Sequence, residues 1–168
     1  ILLSCTSSGK SLMIYNAVRC IRKKDYNHIL LIVPNIMLVD QMYDDFKDYG
    51  YDNIDDEVER LGGGHEATFD KPVLISTWQS LQNKDAEFFE KYSAVFVDEV
   101  HGVKANVMTK LMKWCVNAYY KIGTTGTLPN DKCDLLQIRE VVGDVIFELK
   151  SKELIDAGVL TKIKIANI

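Results

Sequence analysis

The sequence predicts an α/β three-layer sandwich built around a mainly parallel central sheet. Two observations carry that expectation. Residues 29–33 read Ile-Leu-Leu-Ile-Val, and 73–75 and 94–97 are similar short apolar runs without alternation. Strands that are apolar on both faces belong to parallel sheets covered by helices on either side. Between these runs, segments 11–24, 37–49 and 104–115 space their apolar residues three and four apart, the period of an amphipathic helix. Strand alternating with helix is the order of an open α/β sheet.

Taken in order, strands are expected at 1–4, 29–33, 58–61, 73–76, 94–98 and 119–124. Residues 151–157 read as a short helix with Gly158 as its C-terminal stop, and 161–167 alternate like a strand. The acidic stretch 52–59 reads as a solvated connection. Because the chain opens at Ile1 and already in a strand, it is expected to be a fragment lacking its N-terminus. Residues 1–150 would form the domain, and 151–168 an exit segment.

The 168 residues fit one domain, which can bury roughly two-thirds of its surface. Hydrophobic residues make up 47%, charged residues 26%, and the net charge is −4. That balance argues against a strongly basic nucleic-acid module. It leaves room for a protein that grips phosphates with local backbone groups. No stretch is long and apolar enough to span a membrane, and no signal peptide is visible. Cys5, Cys20, Cys115 and Cys133 lack zinc-ligand spacing and read as reduced thiols of an intracellular, cytoplasmic protein. His28 and His65 are expected to be exposed and without a metal partner, Trp78 to be core, and Tyr119 and Tyr120 to be packing residues.

The first strand runs into Ser4-Cys5-Thr6-Ser7-Ser8-Gly9-Lys10-Ser11 and then a helix, the order of a Walker A loop. A loop wrapping into a helix N-terminus aims backbone N–H groups at one point, so Thr6, Ser7, Ser8 and Gly9 would cradle phosphates. Gly9 allows close approach, Lys10 supplies a point charge to the β- and γ-phosphates, and Ser11 offers a hydroxyl to Mg²⁺. Ser4 stands where the strict pattern has glycine. A residue with a Cβ held at positive φ there would cost about 1 kcal/mol. The plain alternative is a serine-rich turn capping a helix.

Residues 94–97 end in Asp98-Glu99-Val100-His101. Ligands in open α/β sheets bind at the carboxyl ends of strands, and two adjacent acids there need a cation nearby. Asp98 would hold Mg²⁺ through water, Glu99 would orient the attacking water, and His101 would pass on the state of the nucleotide. A solvated turn is the bland alternative.

With these two motifs in place, the chain resembles the DExH branch of superfamily two helicases, over nearly its whole length. Val33-Pro34 followed by Leu38-Val39-Asp40-Gln41 looks like motif Ia, a DNA-backbone contact in that family. Residues 75–81, with Thr77-Trp78-Gln79 at their centre, look like another strand-contacting segment. Gly123-Thr124-Thr125-Gly126-Thr127-Leu128 sits where the family carries motif III, with Gly126 in place of its alanine and Leu128 in place of a frequent proline. The similarity is strongest to the UvsW-type recombination helicases of large tailed phages, which share a Thr-Ser-rich phosphate loop, a stretch like Gly62-Gly63-Gly64 and a Thr-Trp-Gln segment.

The resemblance implies a RecA-like P-loop NTPase fold and an ATP- and Mg²⁺-dependent DNA helicase or translocase. It places nucleic acid at Pro34, Asn35, Gly63, Thr77 and Gln79, and the coupling of hydrolysis to movement at Thr125, Gly126 and Thr127. DNA, single-stranded or branched, is expected in preference to RNA. A second RecA-like domain of the same full-length chain would supply arginine fingers, so these 168 residues alone should turn ATP over poorly. Two other readings stay open: the motor subunit of a restriction or repair nuclease, and a degenerate nucleotide-binding scaffold.

Overall fold

The computed structural model describes residues 1–5, 8–24, 28–102 and 105–161. Its strands are β1 (Leu2–Ser4), β2 (Ile29–Val33), β3 (Val58–Leu61), β4 (Val73–Thr77), β5 (Ala94–Val97), β6 (Tyr120–Thr125) and β7 (Phe147–Leu149). Helices α1 (Lys10–Arg22), α2 (Ile36–Asp48), α3 (Ile54–Glu57), α4 (Trp78–Leu81), α5 (Ala86–Glu90), α6 (Ala105–Trp114), α7 (Lys132–Val142) and α8 (Ser151–Asp156) alternate with them, and a 3-10 turn (Val100–Gly102) follows β5.

The strands form one sheet in the order β3-β4-β2-β5-β6-β1-β7, and every pairing is parallel. All carboxyl ends therefore lie along one edge. Strand β6 sits between β5 and β1, so the loops after these three strands converge.

Unbroken apolar strands are explained by two cores, one on each face of the sheet. Ile29, Leu31 and Val33 of β2 join α1 and α2 residues such as Val18 and Phe46. Leu30 and Ile32 point the other way, toward Phe89, Leu111 and Met112. Strand β5 divides identically, Ala94 and Phe96 against Val95 and Val97. A strand with helices on both faces has no side left for polar residues.

Several boundaries move by one or two residues for local reasons. Helix α1 starts at Lys10 because Gly9, at φ 81, is its N-cap. Helix α2 starts at Ile36 because the Asn35 side chain accepts from the Leu38 N–H, a capping bond worth about 1 kcal/mol. Segment 52–59 is more than a solvated connection. Ile54 is buried, and Glu59 is buried on β3, accepting the Phe69 N–H at 3.0 Å. The expected strand at 161–167 falls almost wholly outside the described residues, and Thr161 is in no strand.

Tyr120 packs against the core, but Tyr119 is 76% exposed, correcting the packing role expected of both. His28 and His65 are partly buried instead of exposed. His65 Nε2 lies 2.8 Å from Asp40 Oδ1, and His28 sits edge-on to Tyr92. No helix among the described residues is long and apolar enough to cross a membrane.

All four thiols are free. Burial pushes the Cys115 thiol up to about 12, whereas Cys20 and Cys133 are exposed. Only thiolate is alkylated. Iodoacetamide at pH 8 is therefore expected to modify Cys20 and Cys133 of the native chain and to spare Cys115 until the chain is unfolded. Peptide mass spectrometry checks this, and equal labelling of Cys115 would mean that the end of α6 opens readily.

Candidate functional site

Strand β1 delivers Ser4 to the sheet edge in extended backbone, buried, with its hydroxyl bonded to that of Ser8. Neither serine takes a positive φ, so Ser4 replaces the glycine without strain. The left-handed turn falls on Gly9, where a side chain would be penalised. Thr6 and Ser7, expected to cradle phosphate, lie outside the described residues. The N-cap of α1 is Gly9, which has no side chain to cap it, so among the described residues the first N–H groups of the helix suit an anion.

At the end of β5 the Asp98 N–H still donates to the Ile32 carbonyl at 2.8 Å. Asp98 is 8% exposed, and its carboxylate accepts from Thr124 Oγ1 at 2.6 Å and from the Glu99 N–H at 3.0 Å. Burial pushes this carboxyl above its ordinary range, while the Thr124 hydrogen bond and the Lys10 charge pull it back. A buried carboxylate of this kind is a natural seat for a cation.

Glu99 takes φ 47, a left-handed conformation that costs a non-glycine residue about 1–2 kcal/mol. The turn aims its side chain back across β6 and β1. Oε1 reaches Lys10 Nζ at 2.6 Å, and Oε2 lies 3.4 Å from both His101 Nδ1 and the Gly126 N–H. His101 Nδ1 is 2.6 Å from Thr125 Oγ1. The Thr125 hydroxyl itself donates to the Thr127 carbonyl at 2.7 Å, so Nδ1 carries the proton and donates to Thr125. A polar chain thus runs Lys10–Glu99–His101–Thr125–Thr127, joining the loops after β1, β5 and β6.

Gly9, Lys10, Ser11, Asp98 and Glu99 line a cavity of about 450 Å³, closed on its far side by Leu38, Gln41, Met42 and Asp45 of α2. The groups present fit a magnesium nucleotide. Ser11 and Asp98 offer the hard oxygen donors Mg²⁺ takes, and the uncapped helix start with Lys10 suits phosphate. Ser11 Oγ also lies 2.9 Å from the Tyr49 hydroxyl. Neither Tyr49 nor Thr124 was expected at the site. The paired threonines ending β6 gave a weak signal for Thr124; Tyr49 gave none.

A second site lies beside it. Asn35 and Thr77 cap α2 and α4, accepting the N–H groups of Leu38 at 3.1 Å and Ser80 at 3.2 Å. With Ile36, Met37, Gln79 and Ser80 they line a groove of about 500 Å³. Gly62 and His65 exchange two backbone hydrogen bonds around Gly63 and Gly64, both at positive φ. Such two-residue hairpins require that geometry. A Cβ on Gly63 would stand 2.6 Å from Ile36 Cγ2, so the turn packs on the groove wall. Pro34 does not line this groove. It borders a neighbouring cavity of about 710 Å³ with Glu99, His101, Gly126 and Thr127. Trp78 is partly buried against the core, as expected.

Comparison with known proteins agrees with this fold. The family model described as "Type III restriction enzyme, res subunit" matches residues 1–130. The ATP-dependent DNA helicase uvsW of Enterobacteria phage T4 is 29% identical over 167 residues, which is 97% of this chain and 33% of that protein. The general transcription and DNA repair factor IIH helicase/translocase subunit XPB of Danio rerio is 26% identical over 184 residues, 100% of this chain and 22% of that one. The crystal structure of the UvsW helicase from bacteriophage T4 superposes with a TM-score of 0.80 at 28% identity, covering 88% of this chain and 53% of that one. The chain spans a third or less of the curated relatives it matches. It belongs to the Type III restriction enzyme res-subunit family, and its fold is the N-terminal RecA-like domain of a superfamily two helicase.

Proposed function

We propose that this chain is the ATP-hydrolysing motor domain of a DNA helicase or translocase that remodels or unwinds branched DNA. The observation that carries the reading is the polar chain from Lys10 through Glu99 and His101 to Thr125, which ties a phosphate-binding helix start to the loops bordering the cavity beside the groove. When bound, Mg-ATP supplies the phosphoryl group and the cation that neutralises its charge. Lys10 and the α1 N–H groups hold the phosphates; Ser11 and, through water, Asp98 hold the cation. Glu99 orients the attacking water. His101 and the Thr125-Gly126-Thr127 segment relay the state of that site toward Pro34 and the groove at Asn35, Gly63, Thr77 and Gln79.

Single-stranded or branched DNA is the proposed partner, ahead of RNA, and the cytoplasm the place of action, that of a bacterial host if the protein is phage-encoded. A second RecA-like domain of the full-length protein would close over the nucleotide and supply arginine fingers. These typically give a thousandfold or more in rate. The family's description supports one further reading, the motor of a restriction nuclease, which a nuclease motif elsewhere in the full-length protein would favour.

The test is binding of a fluorescent ATP analogue to the 168-residue chain with and without Mg²⁺, beside Lys10→Ala. Turnover by the full-length protein is then measured with no nucleic acid, single-stranded DNA, branched DNA and RNA at one fixed salt concentration. Mg²⁺-dependent binding abolished by Lys10→Ala, with turnover stimulated most by branched DNA, is expected. Equal binding by both chains would replace the motor with a scaffold.

A further inference from the structure

A serine hydroxyl has one proton to donate and two lone pairs to offer. When it ligates a cation one lone pair is committed, and the proton needs an acceptor pointing away from the metal. The neighbour in that position is Tyr49, whose hydroxyl lies 2.9 Å from Ser11 Oγ.

Tyr49 is held in place independently of this contact. It is the C-cap of α2, its N–H donating to the Asp45 carbonyl. Its own carbonyl accepts from Tyr15 OH of α1 at 2.7 Å. Its ring sits 5.4 Å from that of Tyr15 at 58°. Packing of α1 on α2 therefore fixes the ring, and phenylalanine would pack equally well. What packing leaves unexplained is the phenol oxygen. Ser11 lines the nucleotide cavity and Tyr49 does not.

We infer that Tyr49 is a positioning residue for the metal-binding serine. Its oxygen accepts the Ser11 hydroxyl proton and so turns a serine lone pair toward the divalent cation. The inference rests on the nucleotide reading of the cavity and names a residue that acts on the cation only through Ser11.

The experiment titrates Mg²⁺ into the 168-residue chain with a fluorescent ATP analogue, following anisotropy. The chains compared are the wild type, Tyr49→Phe, Ser11→Ala and the double variant, each with an EDTA arm and a thermal unfolding curve. Tyr49→Phe is expected to raise the half-saturating Mg²⁺ concentration about three- to tenfold, the worth of one hydrogen bond between neutral groups. Metal-free binding and the thermal midpoint stay unchanged. In the Ser11→Ala background the same substitution does nothing, an outcome a purely structural role would not produce. An unchanged or lowered Mg²⁺ requirement in Tyr49→Phe overturns the assignment, and so does an effect of equal size in the Ser11→Ala background. If the wild type itself shows no Mg²⁺-dependent binding, the nucleotide reading falls together with this one. Wild-type binding with an unaltered Tyr49→Phe chain sinks the Tyr49 role alone.

Discussion

A Glu99→Gln protein is expected to bind nucleotide tightly and fail to hydrolyse it. The carboxylate has two jobs that the amide performs differently. The first is pairing with Lys10, with Oε1 2.6 Å from Nζ and only 13% and 28% of the Lys10 and Glu99 side chains exposed. A lysine held this way must leave its carboxylate before it can meet a phosphate. Glutamine carries no charge, so the lysine is released in advance, and affinity is expected to rise a few-fold. The second job is orienting and polarising water, for which the amide lacks both charge and basicity. Loss of such a group typically lowers rate by roughly 10²–10⁴. Glutamine matches glutamate in size and tolerates φ 47 no worse, so a folding defect would not be the explanation. Equilibrium binding and single-turnover phosphate release by the full-length protein check the two halves separately. Turnover within tenfold of the wild type would remove Glu99 from the chemistry.

Which parts of this molecule the sequence discloses follows from how local their causes are. Strands β2 and β5 were legible because every residue is buried on one face or the other. Strand β7 was not: among the described residues it is a three-residue strand at the edge of the sheet, paired there with β1 alone, and the apolar residues Ile146 and Phe147 at its start are 75% and 45% exposed. Helix α7 was missed too, because its buried residues Ile138, Val141 and Val142 are confined to its last turns.

The phosphate loop and the acidic box were legible because their chemistry sits in consecutive residues at strand ends. Asn35 and Thr77 could be singled out for the same reason, as residues at or just beyond strand ends, and the structure adds that each caps a helix. Partners brought together by topology left little or no mark. Tyr49 meets Ser11 across 38 residues of chain, and Thr124 meets Asp98 across 26. The contact between Gly63 and Ile36 depends on β3 and β4 carrying the glycine turn alongside the start of α2. Pro34 shows the converse, neighbours in sequence that line different spaces. Sequence adjacency grouped it with Asn35, yet the chain turns between them, and the two residues border different cavities.

Truncating Phe46 to alanine is expected to cost about 3–5 kcal/mol, the usual price of emptying a large aromatic site in a core. That is a large share of the roughly 5–15 kcal/mol that holds a domain of this kind together. Phe46 is fully buried, edge-on to Tyr15 at 5.5 Å and stacked on Tyr51 at 5.8 Å. It therefore fastens α2 to α1 and to the chain leaving α2. In urea unfolding followed by circular dichroism, the midpoint should fall with little change in slope, and Phe46→Leu should lose far less because it nearly conserves volume. The functional consequence follows from what α2 carries. Asn35, Ile36 and Met37 at its start border the groove, Gln41 and Asp45 border the nucleotide cavity, and Tyr49 at its end holds Ser11. A loosened α2 disturbs all three, so Mg²⁺-dependent nucleotide binding should weaken in Phe46→Ala at temperatures where the chain is still folded. A loss under about 1 kcal/mol, or a destabilised chain whose binding is untouched, would mean that α2 is seated by other contacts and that the sites along it are held by the sheet alone.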